Sequence, residues 1–248
     1  MIIYSALQIG DYHINHCEDY LFTGAIGSDK VVCAVMDGCT NGIDSYFAST
    51  LTGKLLRKVV LQKNYEALYQ PLPATGNDAY LKSILCELFK ELVIARNQLM
   101  LDKKELLTTL IILLLDKKAN NGMVLVIGDG MVAINGTITE FDQENTPDYL
   151  GFHLGKDFES WYSNQTQKLS FDEIRDISIA TDGIFMFSPV KRTEHGESID
   201  PLQFLVIDRS HQEQENMLGI HLKKLEHHYG LKPTDDLGII RVINQQDL

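Results

Sequence analysis

The chain has 248 residues, 44% of them hydrophobic and 23% charged, a balance that suits one globular domain, 1–248, with a sizeable core. A formal net charge of -12 argues against nucleic acid and anionic membrane surfaces as partners, since both demand clustered Lys and Arg. Part of that acidity suits grouped carboxylates that a divalent cation would neutralise.

Residues 1–9 read as a strand and 10–19, GDYHINHCED, as a polar loop. Tyr20–Ile26 and Lys30–Met36 are the expected arms of a hairpin around Gly27-Ser28-Asp29. From 44 to 63 the pattern turns helical. Phe47, Leu51, Leu55 and Val59 form one apolar stripe, flanked by Ala48, Leu56 and Val60, with Asp44 or Ser45 as the expected cap. Pro71, Pro73 and Gly76 break the chain before a second helix capped by Asn77 or Asp78. There Leu81, Ile84, Leu85, Leu88, Phe89, Leu92, Val93 and Arg96 recur at three and four. Both apolar faces are broad, as in helices that cover a sheet.

A β-rich half follows: 108–116, 122–128, 131–134 and 137–141, with hairpin signals at Asn121-Gly122 and Asn135-Gly136. A strand is expected at 176–181 and a polar surface loop at 188–200. An amphipathic helix at 213–229 carries Leu218, Leu222, Leu225 and Tyr229 and ends at Gly230; TDDLGIIRVI gives a last strand. The expected architecture is α+β, helices packed over antiparallel sheet. No secretory leader opens the chain, and LLTTLIILLL is too short to span a bilayer. Cys17, Cys33, Cys39 and Cys86 lack zinc spacing. Reduced thiols in a cytoplasmic, monomeric protein are the expectation, with any regulator on a separate chain.

Acids recur where apolar strands meet loops: Glu18-Asp19, Asp37-Gly38, Asp129, Asp182-Gly183 and Asp235-Asp236. Strand ends of one sheet lie close together, so these carboxylates can converge. Several carboxylates in one place do not all stay ionised unless a cation compensates them. An oxygen-only set suits Mg²⁺ or Mn²⁺. Glycine after the ligand would let a backbone carbonyl approach the ion. A single Asp-Gly pair is also an ordinary turn, and acids before a strand are often solvated.

In order, HCED, VMDGCTNG, LLTTLIILLL, IGDGMV, IATDGIF and TDDLGIIRV resemble the motif series of the type 2C metal-dependent serine/threonine protein phosphatases, in their bacterial form. The resemblance covers residues 10 to 243 and rests on the series, since no single motif is specific. It implies a sandwich of two antiparallel sheets flanked by helices, in α-β-β-α layers. It implies hydrolysis of phosphoserine or phosphothreonine in a phosphorylated protein by a metal-activated water, with two Mg²⁺ or Mn²⁺ ions. Asp37 would bridge the ions, with the Gly38 carbonyl on one. Asp182 and Asp236 would complete one shell, and Glu18 and Asp19 would serve the other. Asp129, with Asp182, would lie near a third, weaker position. The variable flap of the family falls at 188–200.

The chain departs from that pattern in the early loop. Ile14 stands where an Arg four residues before the Glu grips the substrate phosphate; His13 and His16 are either replacements or surface histidines. Cys39 stands where some members carry a His proposed as general acid, so metal-bound water would protonate the leaving group. Cys17 and Cys39 adjoin candidate ligands, as redox-sensitive thiols or as buried structural ones. CTNG lacks the usual double glycine, and Leu107 replaces a glycine before Thr108 and Thr109, which are expected to pack at the core edge. The missing Arg keeps two alternatives open: a phosphatase-like binding module without turnover, and a small-molecule phosphoesterase.

Overall fold

The computed structural model describes residues 1–69, 76–143, 147–190 and 199–244. One antiparallel sheet takes the order β2 (Tyr20–Ile26), β3 (Lys30–Met36), β4 (Leu110–Asp116), β5 (Asn121–Ile127) and β8 (Lys168–Phe171). The other takes the order β1 (Ile2–Gln8), β12 (Leu237–Ile243), β9 (Asp176–Ala180), β6 (Gly130–Ile134) and β7 (Thr137–Phe141). A short ribbon pairs β10 (Phe187–Pro189) with β11 (Leu231–Pro233).

The central strands are apolar on both faces because each face meets a different layer. Along β3, Val31, Cys33 and Val35 pack against Val132, Ile177, Ile179, Ile240 and Val242 of the opposite sheet. Its alternate residues, Val32, Ala34 and Met36, meet helices α1 (Ser45–Tyr69) and α2 (Asn77–Leu99). Across the second sheet, Tyr4, Met131, Ala180 and Ile239 pack on α4 (Pro201–Val206) and α5 (Met217–His227). The layers are therefore α-β-β-α, as the motif series implied. Short α3 (Phe158–Ser163) adds Trp161 and Tyr162 to the first helical layer.

Several local expectations change. Helix α1 buries Ala48, Thr52, Leu56, Val59 and Val60, leaving Leu51 and Leu55 at the edge of the contact. Gly53 sets that rotation, since a Cβ there would stand 2.2 Å from the Tyr20 ring. Gly76 caps α2 without a side-chain bond, so neither Asn77 nor Asp78 is the cap. Asn135-Gly136 is the tight hairpin turn, with φ of 52° and 90°. Asn121-Gly122 instead lies in β5, where Gly122 admits the Phe171 ring. Helix α5 starts at Met217, not 213, and the left-handed Gly230 follows its last turn. Of the expected loop at 188–200, Ser188 and Pro189 belong to β10, and 191–198 lie outside the described residues.

Candidate active site

Antiparallel register brings the acids to one end of the sandwich. Strand β2 begins where β3 ends, Tyr20 opposite Met36, so Glu18-Asp19 and Asp37 emerge side by side. Strand β12 begins where β9 ends, Ile239 opposite Ala180, which brings Asp235-Asp236 to Asp182. The chain crosses between sheets through Gly128-Asp129-Gly130, with φ of 95° and 134° at the glycines, conformations that favour residues lacking a Cβ.

The glycines after the acids serve chain packing. A Cβ on Gly38 would lie 2.1 Å from the Ser45 carbonyl oxygen, and one on Gly183 would lie 1.9 Å from that of Asp236. Each admits a neighbouring backbone, a packing role beside the expected one toward an ion.

Asp37 is pinned through its backbone. Its N–H donates to Thr109 Oγ1 at 3.1 Å, and its carbonyl accepts from Thr108 Oγ1 at 2.7 Å and Thr109 N–H at 2.9 Å. The threonine pair thus holds the acid in place rather than merely filling the core edge. Asp19 Oδ2 accepts from Thr181 Oγ1 at 2.6 Å, while Asp19 Oδ1 is buried without a partner. Asp236 closes the early loop by accepting from Gly10 N–H at 2.8 Å and Glu18 N–H at 2.5 Å. Glu18 itself accepts from Thr40 at 3.0 Å and Ser45 at 2.5 Å.

Burial pushes the carboxyls of Asp19 and Asp37 up, and their mutual contact joins them in one coupled pair. Burial raises Asp182 to about 7, assisted by the charges of Asp129 and Asp235. Asp129 is also raised, by burial and by Asp142. Among the described residues no Lys or Arg forms an ion pair with Asp19, Asp37 or Asp182. Nor, among the described residues, do three or more His, Cys, Asp or Glu side chains stand as a ready-made cation set. The donor chemistry still fits a hard divalent cation, with oxygen donors only and one buried orphan oxygen on Asp19.

Other residues complete the surroundings. His13 turns inward, its Nδ1 2.9 Å from Asp236 Oδ2 and its Nε2 3.6 Å from Glu18 Oε1. Burial opposes its protonation, but the carboxylates of Asp236, Glu18 and Asp235 outweigh that and raise its pKa. His16 does not follow it inward; its ring stacks on Tyr46 at 4.3 Å. Burial and the repulsion of Asp19 and Asp236 hold the Cys17 thiol protonated, which argues against a reactive thiolate. Tyr149, which no sequence motif marks, stands by Cys39 with Asp37 and Asp129 near; burial and the bond to Cys39 raise its hydroxyl's pKa. The segment reaches the site because Leu150 N–H donates to the Thr108 carbonyl. Beside the acids opens a cleft of about 420 Å³ whose wall includes Tyr12, His13, Ile14, Glu18 and Tyr46.

The protein phosphatase 2C family profile matches residues 9–223. No curated protein matches the sequence. Among solved structures, the chain is similar to a bacterial serine phosphatase at 12% identity and a TM-score of 0.63, with 99% of each chain covered. It is similar to RsbX in complex with magnesium at 16% identity and a TM-score of 0.52, over 96% of this chain and 92% of that one. The phosphatase domain and regulatory fragment of SpoIIE from Bacillus subtilis gives 15% identity and a TM-score of 0.57. That match takes in 97% of this chain and 62% of the other, less than two thirds of its length. Likeness at such identities is a statement about fold.

Proposed function

Because the chain belongs to the protein phosphatase 2C family, we propose that it hydrolyses phosphoserine or phosphothreonine in protein substrates with the help of two Mg²⁺ or Mn²⁺ ions. The observation that carries this reading is the buried acid end, where Asp19, Asp37 and Asp182 have raised pKa values and no basic partner among the described residues. Asp37 would hold both ions, with Glu18, Asp19 and the Gly38 carbonyl on one side and Asp182 and Asp236 on the other. Asp129 would contribute to a third, weaker position. When bound, such ions supply Lewis acidity that makes a water nucleophilic and neutralises the phosphoryl charge.

The chain's own part is positioning. Thr108 and Thr109 fix the Asp37 backbone on both its N–H and its carbonyl. Asp236 holds the early loop on both oxygens, accepting from Gly10 N–H on Oδ1 and from Glu18 N–H on Oδ2, where His13 Nδ1 also lies. Burial of the carboxyls excludes bulk water and strengthens every charge interaction there. The proposed working form is a single phosphatase domain, monomeric and cytoplasmic, regulated by a separate protein. No helix among the described residues is long and apolar enough to cross a membrane, and all four cysteines are free.

Hydrolysis of an aryl phosphate and of a phosphothreonine peptide in chelated buffer, titrated with Mn²⁺ or Mg²⁺, tests the proposal. Phosphate release that needs the ion is the expected result. Turnover that persists in excess chelator, or none at saturating ion, overturns it.

A further inference from the structure

We propose that the cleft beside the acids selects phosphopeptides with an apolar or aromatic side chain next to the phosphorylated residue and discriminates against acidic ones. This rests on the phosphatase reading above and names the substrate class that the same site would take. Glu18 belongs to both places: it is one of the converging acids, and it lines the cleft. A phosphate bound at the acids therefore leads its own chain along the cleft wall.

The wall is mixed, with the large side chains of Tyr12, Ile14 and Tyr46 set among polar ones such as Asn15 and Ser45. Ile14 is 89% exposed and Tyr12 73% exposed, and the neighbouring Tyr46 and Ile43 also reach solvent. These side chains do not sit on a loose segment. Asp11 N–H and Tyr12 N–H donate to the carbonyls of Pro233 and Thr234 at 3.2 and 2.9 Å, and His13 N–H donates to the Gly10 carbonyl at 3.2 Å. Asp236 grips both ends of the loop through Gly10 and Glu18. The backbone thus holds two large apolar side chains out in water beside a polar site, the pattern of an interaction surface. The His16–Tyr46 stack gives the cleft a flat wall against which a ring or branched side chain can lie. A pinned loop also spares the ordering cost that a flexible one would meet on binding.

Charge sets the other half of the preference. Glu18 and Asp44 line the cleft, and the His13 imidazole there is already engaged by Asp236, Glu18 and Asp235, the last at 3.7 Å from its Nδ1. An acidic side chain flanking the phosphate would face these carboxylates, whereas an apolar one meets Ile14 and Tyr12.

The test uses two fluorescein-labelled phosphothreonine peptides, identical except for Leu or Asp on both sides of the phosphothreonine. Their kcat/KM with Mn²⁺, and the anisotropy-measured Kd of their non-hydrolysable phosphonate analogues on the wild-type protein with Mn²⁺, are compared. The expected result is about a tenfold preference for the Leu peptide in both readouts, the scale of one partly buried apolar contact. In Tyr12→Ser/Ile14→Ser the ratio should fall to about twofold. Equal treatment of the two peptides, or a preference that survives the double substitution, overturns the proposal. Absence of turnover alone counts against the phosphatase reading, and the anisotropy ratio then still decides the cleft's preference.

Discussion

Strand β12 connects two buried charge centres that the fold treats in opposite ways. Arg241, fully buried on the face toward α4, has all five guanidinium N–H donors engaged. Nε and Nη2 donate to the two oxygens of Asp176, both at 2.8 Å, and the remaining donors reach the carbonyls of Leu205, Ile207 and Asp208. Arg209 adds two longer bonds to the same Asp176. At the start of the same strand, Asp236 joins Asp19, Asp37 and Asp182, which are buried or nearly so, with no guanidinium or ammonium ion-paired to the last three among the described residues. A charge that serves the fold is neutralised within the chain. Charges left uncompensated at a cost to folding are the ones a ligand is needed to satisfy.

The sharpest way to break that contrast is to remove one charge from each centre. Asp37→Asn should lower metal-dependent phosphate release by about a hundred- to a thousandfold, the scale of a lost electrostatic element at the reacting group. It should leave the chelated protein as heat-stable as before or more so, because it relieves repulsion at the acid end. Turnover and thermal melting in chelator check the two halves; near-normal turnover contradicts the assignment of Asp37. Arg241→Met should do the reverse. Leaving the Asp176 carboxylate with only its longer Arg209 bonds should cost about 3 kcal/mol of stability, the low end for breaking a buried pair, a fall in Tm on the order of 10 °C for a chain this size. Adding Asp176→Leu should recover much of that loss, and a single variant that melts with the wild type would show the pair to be dispensable.

Acid titration separates the centres more gently. A carboxyl whose folded pKa is raised binds more protons in the native than in the unfolded state between those two values. Stability from such groups is fully present below the unfolded pKa and declines as pH rises through the folded one. For Asp182, raised to about 7, the window runs from the ordinary carboxylate range to about pH 7, and Asp19 and Asp37 act in the same direction. In chelator, Tm should therefore fall as pH rises from about 4 to about 7, and saturating Mg²⁺ should reduce that slope. A Tm that climbs through this window would show that the acids are ionised and compensated from within.

Much of this contrast was legible in the residues. Helices packed over antiparallel sheet followed from the helical stripes and the apolar strands, the α-β-β-α layering came only with the motif series, and hairpin arms such as Tyr20–Ile26 and Lys30–Met36 carry their own turn residues. The acids were visible because each breaks an apolar run at a strand end. Long-range partners were less visible. Nothing local in IIRVI says that Arg241 finds Asp176 across the sheet, or that Thr108 and Thr109 bond the Asp37 backbone from more than seventy residues away. Tyr149 carries no motif, and His13 reads from sequence as either a surface residue or a phosphate contact. Short elements such as β8, α3 and α4 escape periodicity because a single turn or four residues contain too little of it.

The smallest expected effect comes from placing a cation at the uncompensated end without touching the acids. Ile14 stands where the family pattern has a phosphate-gripping Arg, and its side chain points into water at the lip of the cleft. Ile14→Arg should leave Tm within about 1–2 °C, since a surface substitution away from caps and packing changes stability by about 0.5 kcal/mol or less. A guanidinium there presents a planar, permanently charged fork to a phosphate bound at the acids. It should lower KM for an aryl phosphate by about three- to tenfold, one charge-assisted hydrogen bond's worth. The contact would exist in the ground and transition states alike, so kcat should change less than KM. The same substitution removes an apolar contact and adds a positive charge, so the preference between Leu- and Asp-flanked peptides should narrow in step. Steady-state kinetics on the three substrates decide the matter. An unchanged KM would mean that residue 14 lies too far from the bound phosphate to grip it, and the correspondence between this loop and the family's early motif would then fail at that position.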